Sequence, residues 1–456
     1  MKTPLIKPSL GREKIEAARK ILRSGKIGDI VIYAGIGITL WLVMAFLPGW
    51  CVGVVLGAGA VMMAIWFEPL LALALIIVAV PFEIKKDVMG TFTLWTAEGF
   101  VFMAGVAWGV DFLGKKRLKL PPLPLMIGIV FFFVAIPLSF LNARSIPAGG
   151  KELLRWGEVF FLYLFIINFL KEKEIDAFLK WVFVVAAVAA LIGIVQFFKS
   201  GFNYLKTTST FQQHNPFAAY LGMLLPIPLS LFFHVRREKR IFWGISFFIL
   251  FLGLICCFSR GAWLGFGVAF LLLFFLGRFK KRGLLYFIIP VCLVFGIFLS
   301  LSPVKRTQRF KQFFSDSAAR ARVDYFKIGL KMIKDKPIFG QGAGNYALFL
   351  PRYVPRPDEC MKCHLHNLYL QIAVETGVIG LLSFLFLLGI HFMAGFQNLR
   401  YEVGQERFMI MLGLIGGLAA FCVHNLVDVV TTHHISLIFG LEMGILLLLG
   451  ERLGTD

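Results

Sequence analysis

One histidine and two arginines stand where their side chains could do chemistry together. His366 opens the run His366-Asn367-Leu368-Tyr369-Leu370-Gln371, ahead of an apolar segment. Arg260 lies in the tight turn Ser259-Arg260-Gly261 between two apolar segments, and Arg322 in the long polar stretch that separates these places. A guanidinium is permanently charged and bonds two anionic oxygens at once, so it stabilises charge that develops on a departing group. An imidazole titrating near neutrality can take the proton of a poor nucleophile such as a hydroxyl. Plainer roles exist for each. Arg260 could snorkel at a helix end, Arg322 could hold its loop in the phosphate layer of a bilayer, and His366 could merely precede an Asn cap.

Around these three lie possible supporting groups. His214 and Asn215 begin an apolar segment after Thr210-Phe211-Gln212-Gln213, Asn367 follows the histidine, and Arg320 lies two residues before Arg322. His424 and Asp428 are four apart, so they share a face of the penultimate span. His433 and His434 follow, and with His364 a metal site is conceivable, but no tight ligand spacing supports one and none is expected. Glu375 lies nine residues from His366, about 180° of rotation and roughly 13 Å of rise on a helix. It is therefore expected to brace structure by pairing with a group on another helix rather than to serve the histidine. Cys360-Met361-Lys362-Cys363-His364 fits the attachment pattern of c-type haem, but no second axial ligand stands out. A local disulfide or free thiols are expected, and no cofactor. The run Gly340-Gln341-Gly342-Ala343-Gly344 lacks the Gly-Lys-Ser/Thr of a nucleotide loop and reads as a tight turn that lets backbone approach closely.

The elements that must position these residues are membrane helices. The chain is 58% hydrophobic and only 16% charged, too few charges to cover a soluble surface. Apolar runs recur near 29–47, 50–66, 68–82, 93–113, 122–142, 148–170, 176–198, 215–235, 241–258, 259–277, 284–302, 367–392, 408–430 and 435–450. Each is close to the length that crosses a bilayer, so the expected fold is an all-α polytopic bundle of about 12–14 spans. The net charge of +21 does not point to nucleic acid. Its Lys and Arg lie in short runs between spans, as at Lys115-Lys116-Arg117, Arg236-Arg237 and Lys280-Lys281-Arg282, and these runs put both termini on the cytoplasmic side.

Residues 1–28 then form a basic amphipathic segment on the cytoplasmic surface, 29–302 and 367–456 are spans, and 303–366 is a long outer loop. That loop carries thirteen Lys/Arg against five Asp/Glu, which would draw anionic lipids, diphosphates or acidic glycans. Within it Val323, Phe326, Leu330 and Ile333 recur at helical spacing with Lys327, Lys331 and Lys334 on another face. This is an amphipathic helix for the membrane surface, ended by Pro337.

Taken in order, SRGAWLG at 259–265, Arg322 four residues before the aromatic Phe326, PIFGQGAGN at 337–345 and the HNLYLQ run with Glu375 and Gly377 resemble the O-antigen ligase and O-antigen polymerase superfamily. The resemblance covers about the second half of the chain. It implies a bacterial glycosyltransferase of the inner membrane, with an outer-face active site and an undecaprenyl diphosphate-linked glycan as donor. It implies inversion at the anomeric carbon without a metal. His366 matches the family's histidine before Asn, Arg260 the arginine of the outer turn, and Arg322 the arginine before an aromatic, with Arg320 the alternative. Asp428 resembles a polar position common in the family that could orient a base. The acceptor is lipid A-core for a ligase, carrier-linked repeat units for a polymerase, or another envelope glycan; the basic outer loop favours lipid A-core. A small-anion transporter is the non-enzymatic alternative.

Overall fold

The computed structural model describes residues 57, 59–65, 67–83, 85–88, 92–115, 118–277, 296, 316–354, 364–400, 404–431 and 434–450. The N-terminal segment, most of the expected spans at 29–47, 50–66 and 284–302, and Cys360, Cys363 and His433 lie outside them. The chain divides into two compact units, residues 1–73 with 102–117, and residues 74–101 with 118–456. The first includes the beginning of helix α1 (Pro69–Ala79) and most of α2 (Thr96–Lys115). Met63, Phe102 and Phe112 are exposed there.

The second unit holds the remaining helices. They are α3 (Leu123–Ser139), α4 (Ile146–Phe169), α5 (Ile175–Lys199), α6 (His214–Leu224), α7 (Pro226–Phe232), α8 (Arg237–Cys256), α9 (Arg260–Leu276) and α10 (Asp316–Asp335). After one short turn of helix at Tyr346–Phe349 come α11 (Leu368–Asn398), α12 (Gln405–His424) and α13 (Ile435–Gly450). Among the described residues six segments are long and apolar enough to cross a membrane, and α1, α9 and α13 are shorter apolar helices. Apart from one short two-stranded hairpin, the described residues form α-helices of a polytopic membrane protein. Leu154, Ile245, Leu264, Phe275 and Leu382 lie exposed along its helices, an apolar surface suited to lipid and not to water.

Lipid supplies little hydrophobic drive between helices, so close backbone approach and interhelical hydrogen bonds matter more. In α9, Gly265 lies so near α12 that a Cβ there would meet the carbonyl oxygen of Ala420 at 2.6 Å. Ser230 of α7 donates to the carbonyl of Met409 at 2.7 Å, a bond across helices worth about 0.6–1.7 kcal/mol in a bilayer. At one end of the bundle Lys239 pairs with Asp176 at 3.3 Å and Glu406 at 2.7 Å, and Arg407 with Glu172 at 3.2 Å, tying the starts of α5, α8 and α12.

Three sequence expectations need revision. The 93–113 span starts later, because Phe92–Trp95 pairs antiparallel with Lys85–Val88, in the register Lys85 to Trp95 and Val88 to Phe92. Phe-Thr-Leu-Trp is a strand-favouring run, and Glu98 accepts the Trp95 backbone N–H at 3.2 Å where strand gives way to helix. The 215–235 span is two helices, because Pro226 at the first position of α7 supplies no N–H for the ladder. The 408–430 span ends at His424, and Asp428 lies in the turn-rich connection beyond it.

The helix expected in the 303–366 segment forms and stops before Pro337. Val323, Phe326 and Leu330 are exposed, whereas Tyr325, Ile328 and Met332 are buried against Tyr346, Leu350, Leu365, Leu370 and Val374. The helix thus has two apolar sides, one packed on the bundle and one left for another medium.

Candidate functional site

His366 stands just before the Asn367 cap that starts α11, where the Leu370 N–H donates to Asn367 Oδ1 at 2.9 Å. Its backbone is left-handed, φ 51°, a conformation that costs a non-glycine residue on the order of 1–3 kcal/mol and recurs at functional sites. The connection after α12 holds it in place. Leu368 N–H donates to the Asn425 carbonyl at 2.9 Å, and Asn367 Nδ2 to that of Leu426 at 2.9 Å.

The imidazole meets a carboxylate. His366 Nδ1 donates to Asp428 Oδ1 at 3.0 Å, and Asn215 Nδ2, from the first turn of α6, donates to Asp428 Oδ2 at 2.7 Å. The Val429 N–H adds a bond to Oδ1 at 2.9 Å. Burial by itself would raise the Asp428 carboxyl, but the His366 hydrogen bond and the nearby histidines outweigh it and hold the group well below the usual carboxylate range. An anionic Asp428 fixes the proton on Nδ1 of His366 and leaves the Nε2 lone pair to act as a base. The His366 side chain keeps 16% of its surface exposed, so the ring is not sealed off.

Two further rings frame it. Tyr325 of α10 stacks on His366 with centroids 5.2 Å apart and planes 20° apart. His364 meets it edge-on at 4.3 Å, and its Nδ1 accepts the His366 backbone N–H at 3.3 Å. Burial pushes His364 down to about 4 despite the attraction of Asp428, so at neutral pH it is an uncharged spacer.

Arg322 is one helical turn before Tyr325 and is half-buried, close enough to His424 for its charge to act there. Phe326, the aromatic of the sequence motif, is exposed; Tyr325 is the one that reaches the histidine. Arg260 begins α9 after Phe258, whose φ is 50°, and the next residue, Gly261, packs so tightly that a Cβ would lie 2.5 Å from the His424 ring. His214 begins α6 beside Asn215. The N-termini of α6, α9 and α11 therefore gather around residues 424–428, an arrangement whose helix dipoles favour an anion.

The glycine-rich loop is the scaffold beneath. Gly344 N–H donates to Glu375 Oε2 at 2.9 Å, Gln371 Nε2 donates to Glu375 Oε1 at 2.6 Å, and the Gln341 and Gly342 N–H groups bond to the carbonyls of Val374 and Glu375. α11 kinks here at Gly377, φ 70°, where a Cβ would collide with the Ile338 carbonyl oxygen. Glu375 thus holds loop to helix, and Asn345 extends the scaffold by bonding both backbone groups of Ser145 at 2.7 and 3.0 Å.

Sequence spacing did not bring Asp428 to His366, since they are 62 residues apart, nor did it single out Tyr325, whose only signal is its place one turn after Arg322. It grouped His364 with His424, His433 and His434 as a conceivable metal set, whereas the ligand atoms that lie within 4.8 Å of one another are those of His364, His366 and Asp428.

The described residues thus bring a histidine–carboxylate pair beneath the starts of three helices. Residues 245–385 match a family model described as O-antigen ligase, a stretch that includes Arg260, Arg322 and His366. Over that stretch the chain is similar to the O-antigen ligase family. A Haemophilus influenzae protein described as uncharacterised is 23% identical over 319 residues, 64% of this chain and 77% of that one.

Proposed function

We propose that the protein transfers a glycan from an undecaprenyl diphosphate carrier to lipid A-core at the outer face of the inner membrane, with inversion and without a metal in the transfer step. The observation that carries this is the His366–Asp428–Asn215 chain of hydrogen bonds beneath the starts of α6, α9 and α11. The donor's diphosphate lies toward Arg260 and Arg322, where guanidinium charge and helix dipoles stabilise the leaving group. His366 Nε2 takes the acceptor hydroxyl's proton as that oxygen attacks the anomeric carbon. The bond to the diphosphate oxygen breaks on the opposite face. Asp428 stabilises the imidazolium that forms. The basic runs between spans support a topology with both termini on the cytoplasmic side.

The test is transfer by purified protein in detergent, with lipid A-core as acceptor in one tube and carrier-linked repeat units in another, each with and without chelator. Product on lipid A-core that persists in chelator supports the proposal. Ladders on the carrier would make the protein a polymerase acting through the same site. No transfer to either acceptor from folded protein would count against both and turn attention to other acceptors or to anion transport.

A further inference from the structure

A second cluster of chemically able side chains lies outside that site. His434, in the connection before α13, is met by three carboxylates from separate elements: Glu83 before the hairpin, Glu98 in the first turn of α2 and Glu158 in α4. Nε2 of His434 lies 3.6 Å from Glu98 Oε1 and 3.7 Å from Glu158 Oε2. These separations are long for hydrogen bonds but suit ligands sharing one ion, whose neighbouring donor atoms stand roughly 3–3.5 Å apart when each bond is about 2.1 Å. Ligand atoms of Glu98, Glu158 and His434 all lie within 4.8 Å of one another.

Two other features point to a ligand. The Glu83 side chain is only 6% exposed, its Oε1 is paired with His434 Nδ1, and its Oε2 makes no hydrogen bond among the described residues. A metal-bound imidazole has its proton on the other nitrogen, next to an acceptor such as a carboxylate, and Glu83 occupies that place. His434 is also left-handed, φ 54°, and its ring meets Trp95 edge-on at 5.9 Å, so the residue is held at a conformational cost. Three carboxylates around one imidazole remain anionic even if that imidazole is protonated. Lys151 and Arg155 are near enough to act on Glu98 and Glu158, but Arg155 is already paired with Glu152.

We propose that His434 Nε2, Glu98 and Glu158 bind a divalent transition-metal cation such as Zn2+ or Mn2+, with Glu83 orienting the imidazole through Nδ1. One imidazole with two carboxylates suits such ions better than an all-oxygen set would. The cation ties the hairpin, α2, α4 and the connection before α13 together. It takes no part in the transfer step.

The experiment uses full-length protein with no polyhistidine tag, stripped with chelator, incubated with Zn2+ or Mn2+ and passed through gel filtration. Wild-type protein should retain about one ion per chain and melt several degrees higher with it. A Glu98→Gln/Glu158→Gln variant should lose both effects. In chelator that variant should melt no lower than wild type, because like-charge repulsion is relieved, which separates lost binding from lost folding. A His364→Ala variant should still retain the ion. Wild type that retains no ion, retention unchanged in the double Gln variant, or loss confined to His364→Ala would each overturn the proposal, the last by assigning the ion to the His364, His366 and Asp428 set.

Discussion

Replacing Asp428 by Asn removes a charge and little else, and the site predicts a large effect. Asp428 accepts three hydrogen bonds, from His366 Nδ1 at 3.0 Å, Val429 N at 2.9 Å and Asn215 Nδ2 at 2.7 Å. All three partners donate, so the amide NH2 of an Asn must face one of them. Turned toward Asn215 it breaks that bond and leaves His366 with a neutral acceptor. Turned toward His366 it forces the ring proton onto Nε2 and removes the base. A hydrogen bond to a charged group is worth about 1.5–3 kcal/mol, or roughly 10- to 150-fold in rate. The tautomer error alone is worth up to about 10,000-fold where a hydroxyl is activated by a histidine–carboxylate pair. Single-turnover transfer by Asp428→Asn should therefore fall by about 100- to 10,000-fold with donor binding little changed. The double variant with His366→Ala should be no slower than His366→Ala, because the two act as one unit. A folded Asn variant transferring within threefold of wild type, or losses that multiply in the double variant, would refute the pairing.

Other residues give sharper tests than a scan would. Arg322→Lys should lower transfer by about 10-fold or more by losing bidentate contact with the diphosphate, whereas Arg320→Lys should change it less than threefold; assays of both variants decide between the two arginines. Tyr325→Phe keeps the ring over His366 and should retain most activity, while Tyr325→Ala should lose much of it, as read from kcat. Gly377→Ala should lower the melting temperature by several degrees, since a left-handed residue costs about 1–3 kcal/mol and its Cβ would collide with Ile338. Asp428 has a depressed carboxyl in the folded chain, so its stabilisation is present above the unfolded value of about 3.9 and is lost as pH falls through the folded value. The melting-temperature advantage of wild type over Asp428→Asn should thus be full at pH 6 and shrink below about pH 4.

The helices were legible in the sequence because runs of about twenty apolar residues, repeated along a chain, suit a bilayer and little else. The order of the motifs singled out His366, Arg260 and Arg322 because each stands at the start of, or within, a recognisable element. What lies between the motifs was not legible. Asp428 was expected on a helix, but α12 ends at His424, and only the folded connection delivers its carboxylate to His366. Tyr325 and Phe326 are equally plausible in the sequence, and which one faces the site depends on how α10 rotates against Leu365 and Leu370. The hairpin at 85–95 was hidden inside an apolar stretch, because hydropathy alone does not distinguish strand from helix over four residues. The cluster at His434 joins residues 83, 98 and 158, a long-range convergence that has no periodicity to betray it.

The most direct measurement compares donor binding and single-turnover transfer of a polyprenyl diphosphate glycan in wild type, His366→Ala and Arg260→Ala/Arg322→Ala. The account predicts that His366→Ala binds the donor as wild type does yet transfers at least about 1,000-fold more slowly, and that the double arginine variant loses the binding itself. Transfer by folded His366→Ala at the wild-type rate would contradict it.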